Sequence, residues 1–279
     1  VAAASTGNAA TALAAAGAAA GMKTVVFVPA SAPPAKLVQM SSYGARLVPV
    51  AGTYDQAFEL SLEACARFGW YNRNTALNPF TVEGKKTASL EIARDLAPEA
   101  PDAVVVPTGD GVIVAGIAKG FADLVRCGLL PRVPRLVAVQ PERSGAIARA
   151  LRSGAAEITP EPDAGSVADS LTVSAPRNAV MALKDIRATG GCGILVSEDA
   201  ILDSIPRLAA ASSVFAEPAA AIALAGLEIA IAEGKVGRDE RGVRLGTGTG
   251  LKDVPAAARR VKVPDPVAPT LEAVEAFLG

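Results

Sequence analysis

Short apolar runs rich in β-branched residues alternate with segments of helical spacing, and this alternation limits the fold more than any other feature. The runs at 23–29 (KTVVFVP), 103–107 and 135–140 have the length and composition of buried strands. Helices are predicted between them, so successive strands are joined by right-handed crossovers and lie parallel. The sequence therefore predicts an α/β fold with mostly parallel sheets, and ligands are expected at the carboxyl ends of the strands.

One strand-to-helix turn has the composition of a ligand site. The strand at 103–107 leads through Thr108-Gly109-Asp110-Gly111 into a helix predicted over 112–126. Two glycines let the backbone approach a ligand closely, and the helix adds free N–H groups and the positive end of its dipole. The turn predicts a phosphate site, and a side chain at Gly111 is expected to crowd that phosphate. The alternative is a glycine-rich turn without a ligand.

A second turn of this kind follows the first predicted strand. Residues 1–4 (VAAA) are typical of a strand interior, residues 5–8 (STGN) form a polar turn, and residues 9–21 predict an alanine-rich helix that ends at glycine. The hydroxyl and amide groups of the turn either face a ligand or cap the helix, and different residues can do each.

Composition excludes several classes of function. The net charge of −1 and the lack of a basic block argue against nucleic acid as a partner. Apolar stretches are interrupted before they could cross a membrane, and no signal peptide is recognised. The three scattered cysteines predict free thiols, a reducing cytoplasmic location and no metal site.

Histidine is absent, which excludes Ser-His-Asp and Cys-His machinery. An enzyme of this sequence must move protons with lysine, a carboxylate, tyrosine or a cofactor. The segment 84–87 (GKKT) is not a P-loop, because Pro79 stands where that motif needs glycine. Lys85 and Lys86 are interpreted as solvated residues near the start of a helix predicted at 83–96.

Four segments then resemble, in order, those of pyridoxal-phosphate (PLP) enzymes with the tryptophan synthase β-like fold (fold type II), most closely the threonine synthases. They are ASTGNA at 4–9, NPxxxEGxKT at 78–87, PTGDGVIVAGI at 107–117 and TGTGLKD at 247–253. The resemblance implies two open, twisted, mostly parallel sheets flanked by helices, with PLP in the cleft between them. It also implies a smaller subdomain over 1–80, a larger phosphate-binding subdomain over 81–279, and a homodimer.

The resemblance implies roles for individual residues. Asn8 would hydrogen-bond the 3′-oxygen of PLP, Thr247 would face its pyridine nitrogen, and the turn after the 103–107 strand would surround its phosphate. Asp110 is expected to direct its carboxylate away from that phosphate. The cofactor-binding residues so implied are Asn8, Thr108, Gly109, Asp110, Gly111, Val112, Ile113 and Thr247. The substrate-binding residues are Ser5, Thr6, Gly7 and Lys86.

Two departures from the family pattern affect the functional prediction. The Schiff-base lysine motif precedes the STGN turn in the family and is not found in these 279 residues, so we expect an N-terminal part to be missing and this chain alone to be inactive. No catalytic residue is therefore assigned. Threonine synthases commonly place arginine where Thr81 stands, near the substrate's phosphate, so the absence of that arginine argues against O-phosphohomoserine and the substrate need not be phosphorylated.

The predicted function is that of a PLP-dependent lyase or synthase that acts on an amino acid with a leaving group at its β or γ carbon. The first candidate is a threonine synthase, which converts O-phosphohomoserine and water into threonine and phosphate. The alternatives are a cysteate synthase, a serine/threonine dehydratase, a diaminopropionate ammonia-lyase, or a non-catalytic homologue that binds an amino acid or PLP.

Overall fold

Two parallel β-sheets form the framework in a computed structural model that describes residues 1–5, 7–30, 32–162 and 164–279. The small sheet contains β1 (Ala2–Ala4), β2 (Val25–Pro29) and β3 (Arg46–Val50), in that order. The large sheet contains β4 (Ala103–Pro107), β5 (Arg135–Pro141), β6 (Cys192–Val196) and β7 (Gly242–Arg244), in the order β6-β5-β4-β7. Neighbouring strands pair in parallel throughout both sheets, which confirms the predicted fold class.

Helices connect the strands and cover the sheets. The helices are α1 (Asn8–Ala19), α2 (Pro34–Ser42), α3 (Tyr54–Phe68), α4 (Phe80–Lys85), α5 (Thr87–Leu96), α6 (Val112–Arg126), α7 (Ala146–Ser153), α8 (Ala179–Ala188), α9 (Glu198–Ser212), α10 (Pro218–Ala232), α11 (Val254–Ala258) and α12 (Leu271–Leu278). Within the described ranges, none of them has both the length and the apolar character needed to cross a membrane.

The position of β4 between two core layers explains why its sequence is apolar without interruption. Val104 and Val106 belong to the core layer that contains α6, whereas Val105 belongs to the layer on the other face that contains α10. All three valines are fully buried. Alternate side chains of a strand point to opposite faces, so a strand covered on both sides has no polar positions.

One predicted helix differs from the observed structure. The sequence predicts a single helix over 83–96, but the chain forms α4 from Phe80 and α5 from Thr87. The earlier start is stabilised by Asn78, whose Oδ1 accepts the N–H of Phe80 at 3.0 Å. An Asn side chain that satisfies a first-turn N–H favours the start of a helix at that point. Lys85 is therefore the last residue of α4 and does not belong to α5.

Candidate active site

A cleft of about 650 Å³ lies at the carboxyl ends of β1 and β4. Ser5 and Asn8 line it from the first turn, residues 108–113 line it from the turn after β4, and Thr247 lines it after β7. Residues of the segment 71–85 form one further wall, and residues 170–173 contribute to the lining as well. The fold thus brings together both glycine-containing turns, although 99 residues separate them in the sequence.

The turn between β4 and α6 fits a phosphate group. Gly111 precedes α6 with a φ of 88°, and no side chain caps the helix from that position. Val112 and Ile113, whose N–H groups belong to the first helical turn, line the cleft. First-turn N–H groups have no partner within the helix, so an anion with several oxygen atoms would satisfy them.

The structure corrects the expected effect of a side chain at Gly111. A Cβ atom there would lie 2.8 Å from Cβ of Ala182 and 3.3 Å from the carbonyl oxygen of Asn178. The crowding would therefore be within the protein and would not be against a ligand in the cleft. Because φ is positive as well, a side chain would displace the whole turn.

The carboxylate of Asp110 is directed away from the first turn of α6. Its Oδ1 accepts the main-chain N–H of Arg177 at 3.1 Å. Burial raises the pKa of Asp110, and the hydrogen bond and charge of Arg177 oppose that shift. Arg177 in turn binds Asp55 of α3 at 2.6 Å, so this contact joins the two sides of the cleft.

Asn8 is held by charged groups at both ends of its amide. Its Oδ1 accepts from Nζ of Lys252 at 2.7 Å, and its Nδ2 donates to Glu217. Glu217 is 1% exposed, and its other carboxylate oxygen lies 3.4 Å from Nζ of Lys36. The buried Lys36 also donates to Asp169 at 2.9 Å. A chain of alternating charges therefore fixes the orientation of the Asn8 amide.

Two glycines make room for this chain of charges. A Cβ atom at Gly7 would lie 2.2 Å from Cδ of Lys36, and one at Gly248 would lie 2.0 Å from Oε1 of Glu217. Gly7 was predicted to bind substrate, and the structure places it against Lys36 and outside the cleft lining.

Ser5 is the remaining residue of the polar turn that the structure describes. Ser5 lines the cleft and also accepts the N–H groups of Gly7 and Ala10 at 3.2 and 3.3 Å, so it both stabilises the start of α1 and faces the site. Thr6, the other predicted substrate-binding residue of this turn, lies outside the described residues.

The sequence analysis did not identify Lys36 or Glu217. A signal for Glu217 exists, because it is the only charged residue between Arg207 and Glu228 in the sequence and stands directly before the proline that begins α10. For Lys36 no such signal exists, because lysine is common near the start of amphipathic helices.

The two adjacent lysines of the EGKKT segment have different surroundings. Nζ of Lys86 pairs with Glu83 at 2.7 Å and with Asp123 at 3.2 Å, and Lys86 is not part of the cleft lining. Lys85 does line the cleft. Burial, with a further contribution from Arg73, lowers the pKa of Lys85 to about 8. The interpretation of both residues as solvated was wrong for Lys85.

Comparison with known proteins agrees with this geometry. The family model described as "Pyridoxal-phosphate dependent enzyme" matches residues 1–248. The chain is 36% identical over 281 residues to a threonine synthase of Methanosarcina acetivorans. The aligned region covers 100% of this chain and 69% of that protein. It is 35% identical to a threonine synthase of Methanocaldococcus jannaschii, over 94% of this chain and 64% of that protein.

Solved structures support the fold. The processed form of threonine deaminase isoform 2 from Solanum lycopersicum superposes with a TM-score of 0.76 at 23% identity, over 93% of this chain and 71% of that one. Maize serine racemase superposes with a TM-score of 0.76 at 21% identity, over 93% of this chain and 76% of that one.

The chain belongs to the family of pyridoxal-phosphate-dependent enzymes, as the match over most of its length shows. Within that family it is a lyase of the threonine synthase type, either a threonine synthase or a close relative.

Proposed function

We propose that the protein is a threonine synthase that converts a phosphorylated homoserine and water into threonine and phosphate. The observation that carries this proposal is the joint arrangement of the phosphate-fitting turn, Asn8 and Thr247 around one cleft, in a chain whose relatives are threonine synthases. PLP supplies the electron sink that this chemistry requires, and the protein supplies binding and orientation.

In this proposal the main chain of residues 108–113 binds the phosphate of PLP. Asn8 donates to its 3′-oxygen, because its Oδ1 is occupied by Lys252 while Nδ2 retains a second hydrogen. Thr247 faces the pyridine nitrogen with a neutral hydroxyl group. A neutral partner leaves that nitrogen unprotonated, which suits elimination and replacement at the β and γ carbons.

The substrate is proposed to bind beside Ser5, with its α-carboxylate on the STGN turn. The hydroxyl oxygen of Ser5 already accepts from two N–H groups, so its hydrogen is free to be donated to a carboxylate.

We also propose that the residues divide into subdomains at 80/81 and that the protein works in the cytoplasm as a homodimer. The three free cysteines support a reducing compartment, and light scattering tests the dimer.

The test is a comparison of substrates with the full-length protein loaded with PLP. O-phosphohomoserine, phosphoserine, serine, threonine and diaminopropionate are each incubated with it, and amino acids, keto acids and inorganic phosphate are quantified. We expect threonine and phosphate in equal amounts from O-phosphohomoserine. Keto acid from serine or threonine as the main product would identify a dehydratase, and binding without any turnover would identify a non-catalytic homologue.

A further inference from the structure

Two cationic side chains on one wall of the cleft have no carboxylate partner among the described residues. Arg73 and Lys85 both line the cleft. Neither takes part in an ion pair of 4 Å or less within the parts of the chain that the structure describes. Most other cations near the site are paired: Lys86 with Glu83, Arg177 with Asp55, and Lys36 with Asp169.

The main chain on either side of Arg73 is held against the edge of β1. The N–H of Ala2 donates to the carbonyl of Tyr71, and the N–H of Arg73 donates to the carbonyl of Ala2, both at 2.9 Å. The next residue, Asn74, is fully buried and accepts the N–H of Ala4 at 2.6 Å. The segment 71–74 is therefore anchored along β1, with Arg73 bonded to Ala2 and Asn74 bonded at the carboxyl end, where the STGN turn begins.

Lys85 is positioned by the close packing of α4 on α6. A Cβ atom at Gly116 would lie 2.6 Å from Cβ of Lys85, so the two helices approach this closely only because residue 116 is glycine. Thr81 lies four residues before Lys85 on α4 and also lines the cleft. Residues four apart share a helix face, so Thr81 and Lys85 lie one turn apart on the face of α4 that lines the cleft.

The positive charge of Arg73 acts on Lys85. Burial lowers the pKa of Arg73, and Arg73 contributes to lowering the pKa of Lys85. Asp110 is the carboxylate that acts on Lys85 in the opposite direction, but it is already engaged by the main chain of Arg177. Like charges held together in a partly buried wall are unfavourable until an anion enters between them.

We propose that Arg73 and Lys85 bind the dianionic phosphate ester group of the amino-acid substrate. This inference rests on the proposed function, since it names residues that recognise the leaving group. A guanidinium binds two phosphate oxygens at once, and an ammonium adds a point charge to a third. A singly charged or neutral substituent would leave one of the two cations without a partner.

The test uses the full-length, PLP-loaded protein with Lys85→Gln and Arg73→Gln. Lys119→Gln is the matched control, because Lys119 pairs with Glu83 of α4 and is not part of the cleft lining. Steady-state kinetics with O-phosphohomoserine gives KM and kcat. Calorimetry gives the Kd of a phosphonate analogue whose bridging oxygen is replaced by carbon, which cannot be turned over. We expect KM and Kd to rise about ten-fold or more in each test variant, the range for a lost charged hydrogen bond, and less than two-fold in the control.

Two further measurements make the result specific. The Kd of PLP should stay within two-fold of the parent in both test variants. Thr81→Arg placed in the Lys85→Gln background should restore much of the affinity for the phosphonate. Circular dichroism spectra matching the parent confirm that the variants fold.

The possible outcomes separate this inference from the proposed function. Phosphonate affinity that is unchanged in both variants would overturn the inference even if the parent makes threonine. A loss of PLP affinity in the same variants, or equal binding of a carboxylate analogue, would overturn it as well. If the parent binds the phosphonate through Lys85 and Arg73 but forms no threonine, the inference stands and the proposed function fails.

Discussion

Replacing Lys36 with methionine tests whether the buried chain of charges holds the site together. Lys36 is 0% exposed and contacts both Asp169 and Glu217, which come from segments on the large-sheet side. Methionine fills nearly the same volume but leaves both carboxylates without their cation. Lys36→Met should therefore destabilise the protein and release Asn8 from its fixed orientation.

The magnitude follows from the exposure of the two carboxylates. Removing one partner of a buried ion pair costs about 3–5 kcal/mol, because the remaining charge stays buried without compensation. Glu217 is 1% exposed and bears that penalty in full, whereas the Asp169 side chain is 29% exposed and can be solvated. We therefore expect the lower end of the range, about 3 kcal/mol. Adding Glu217→Gln to Lys36→Met should recover part of this loss, since the uncompensated charge is then gone.

Urea denaturation followed by circular dichroism and by the fluorescence of Trp70 measures the change. Lys23→Met is the matched control, because Lys23 is exposed, and it should leave the midpoint almost unchanged. The Kd of PLP should rise in Lys36→Met as Asn8 loses its orientation. The reasoning would be refuted by a midpoint for Lys36→Met that equals that of the control.

Two further predictions concern the charged groups that line or close the cleft. Burial and the charge of Arg73 lower the pKa of Lys85 to about 8, a shift that Asp110 opposes. Lys85 therefore loses its charge as the pH rises through that value. KM for the phosphorylated substrate should therefore increase between about pH 7 and pH 9, and steady-state kinetics should show a smaller increase in Lys85→Arg. Arg177→Met removes the 2.6 Å bond to Asp55 and the stacking of the guanidinium on α3, and should lower the free energy of unfolding in urea by about 1–2 kcal/mol. An unchanged denaturation midpoint for Arg177→Met would contradict the second prediction.

Much of the fold was predictable because its strands are buried on both faces. Continuous apolar runs such as 103–107 have few alternatives, and the helix over 112–126 was predicted with the bounds that the structure gives. Helices whose formation depends on other signals were missed. One is α9, which continues through Pro206 although proline usually ends a helix. Another is α4, which starts where the Asn78 side chain satisfies a main-chain N–H group.

Part of the site could be predicted from local sequence in the same way, and part could not. Turns such as 107–111 carry their geometry in local sequence, so their glycines and their place at the end of a strand could be recognised. The partners of Asn8 could not, because Glu217 lies 209 residues away and Lys252 lies 244 residues away. The contact between Lys36 and Asp169 spans 133 residues. Pairs at such separations are fixed by how the two sheets meet, which no local pattern encodes.

The most direct test of the site is a PLP titration, followed by absorbance, of the full-length parent, Gly111→Ala and Gly128→Ala. Both glycines have positive φ and flank α6, but a Cβ atom at Gly128 meets nothing within 4 Å, whereas one at Gly111 would lie 2.8 Å from Ala182. The two variants thus share the backbone strain and differ in whether the turn before α6 is displaced. If residues 108–113 bind the phosphate of PLP, Gly111→Ala should raise the Kd of PLP about ten-fold or more, the range for a lost charged hydrogen bond, and Gly128→Ala should leave it unchanged. Equal Kd values for Gly111→Ala and the parent would contradict this and would place the phosphate elsewhere.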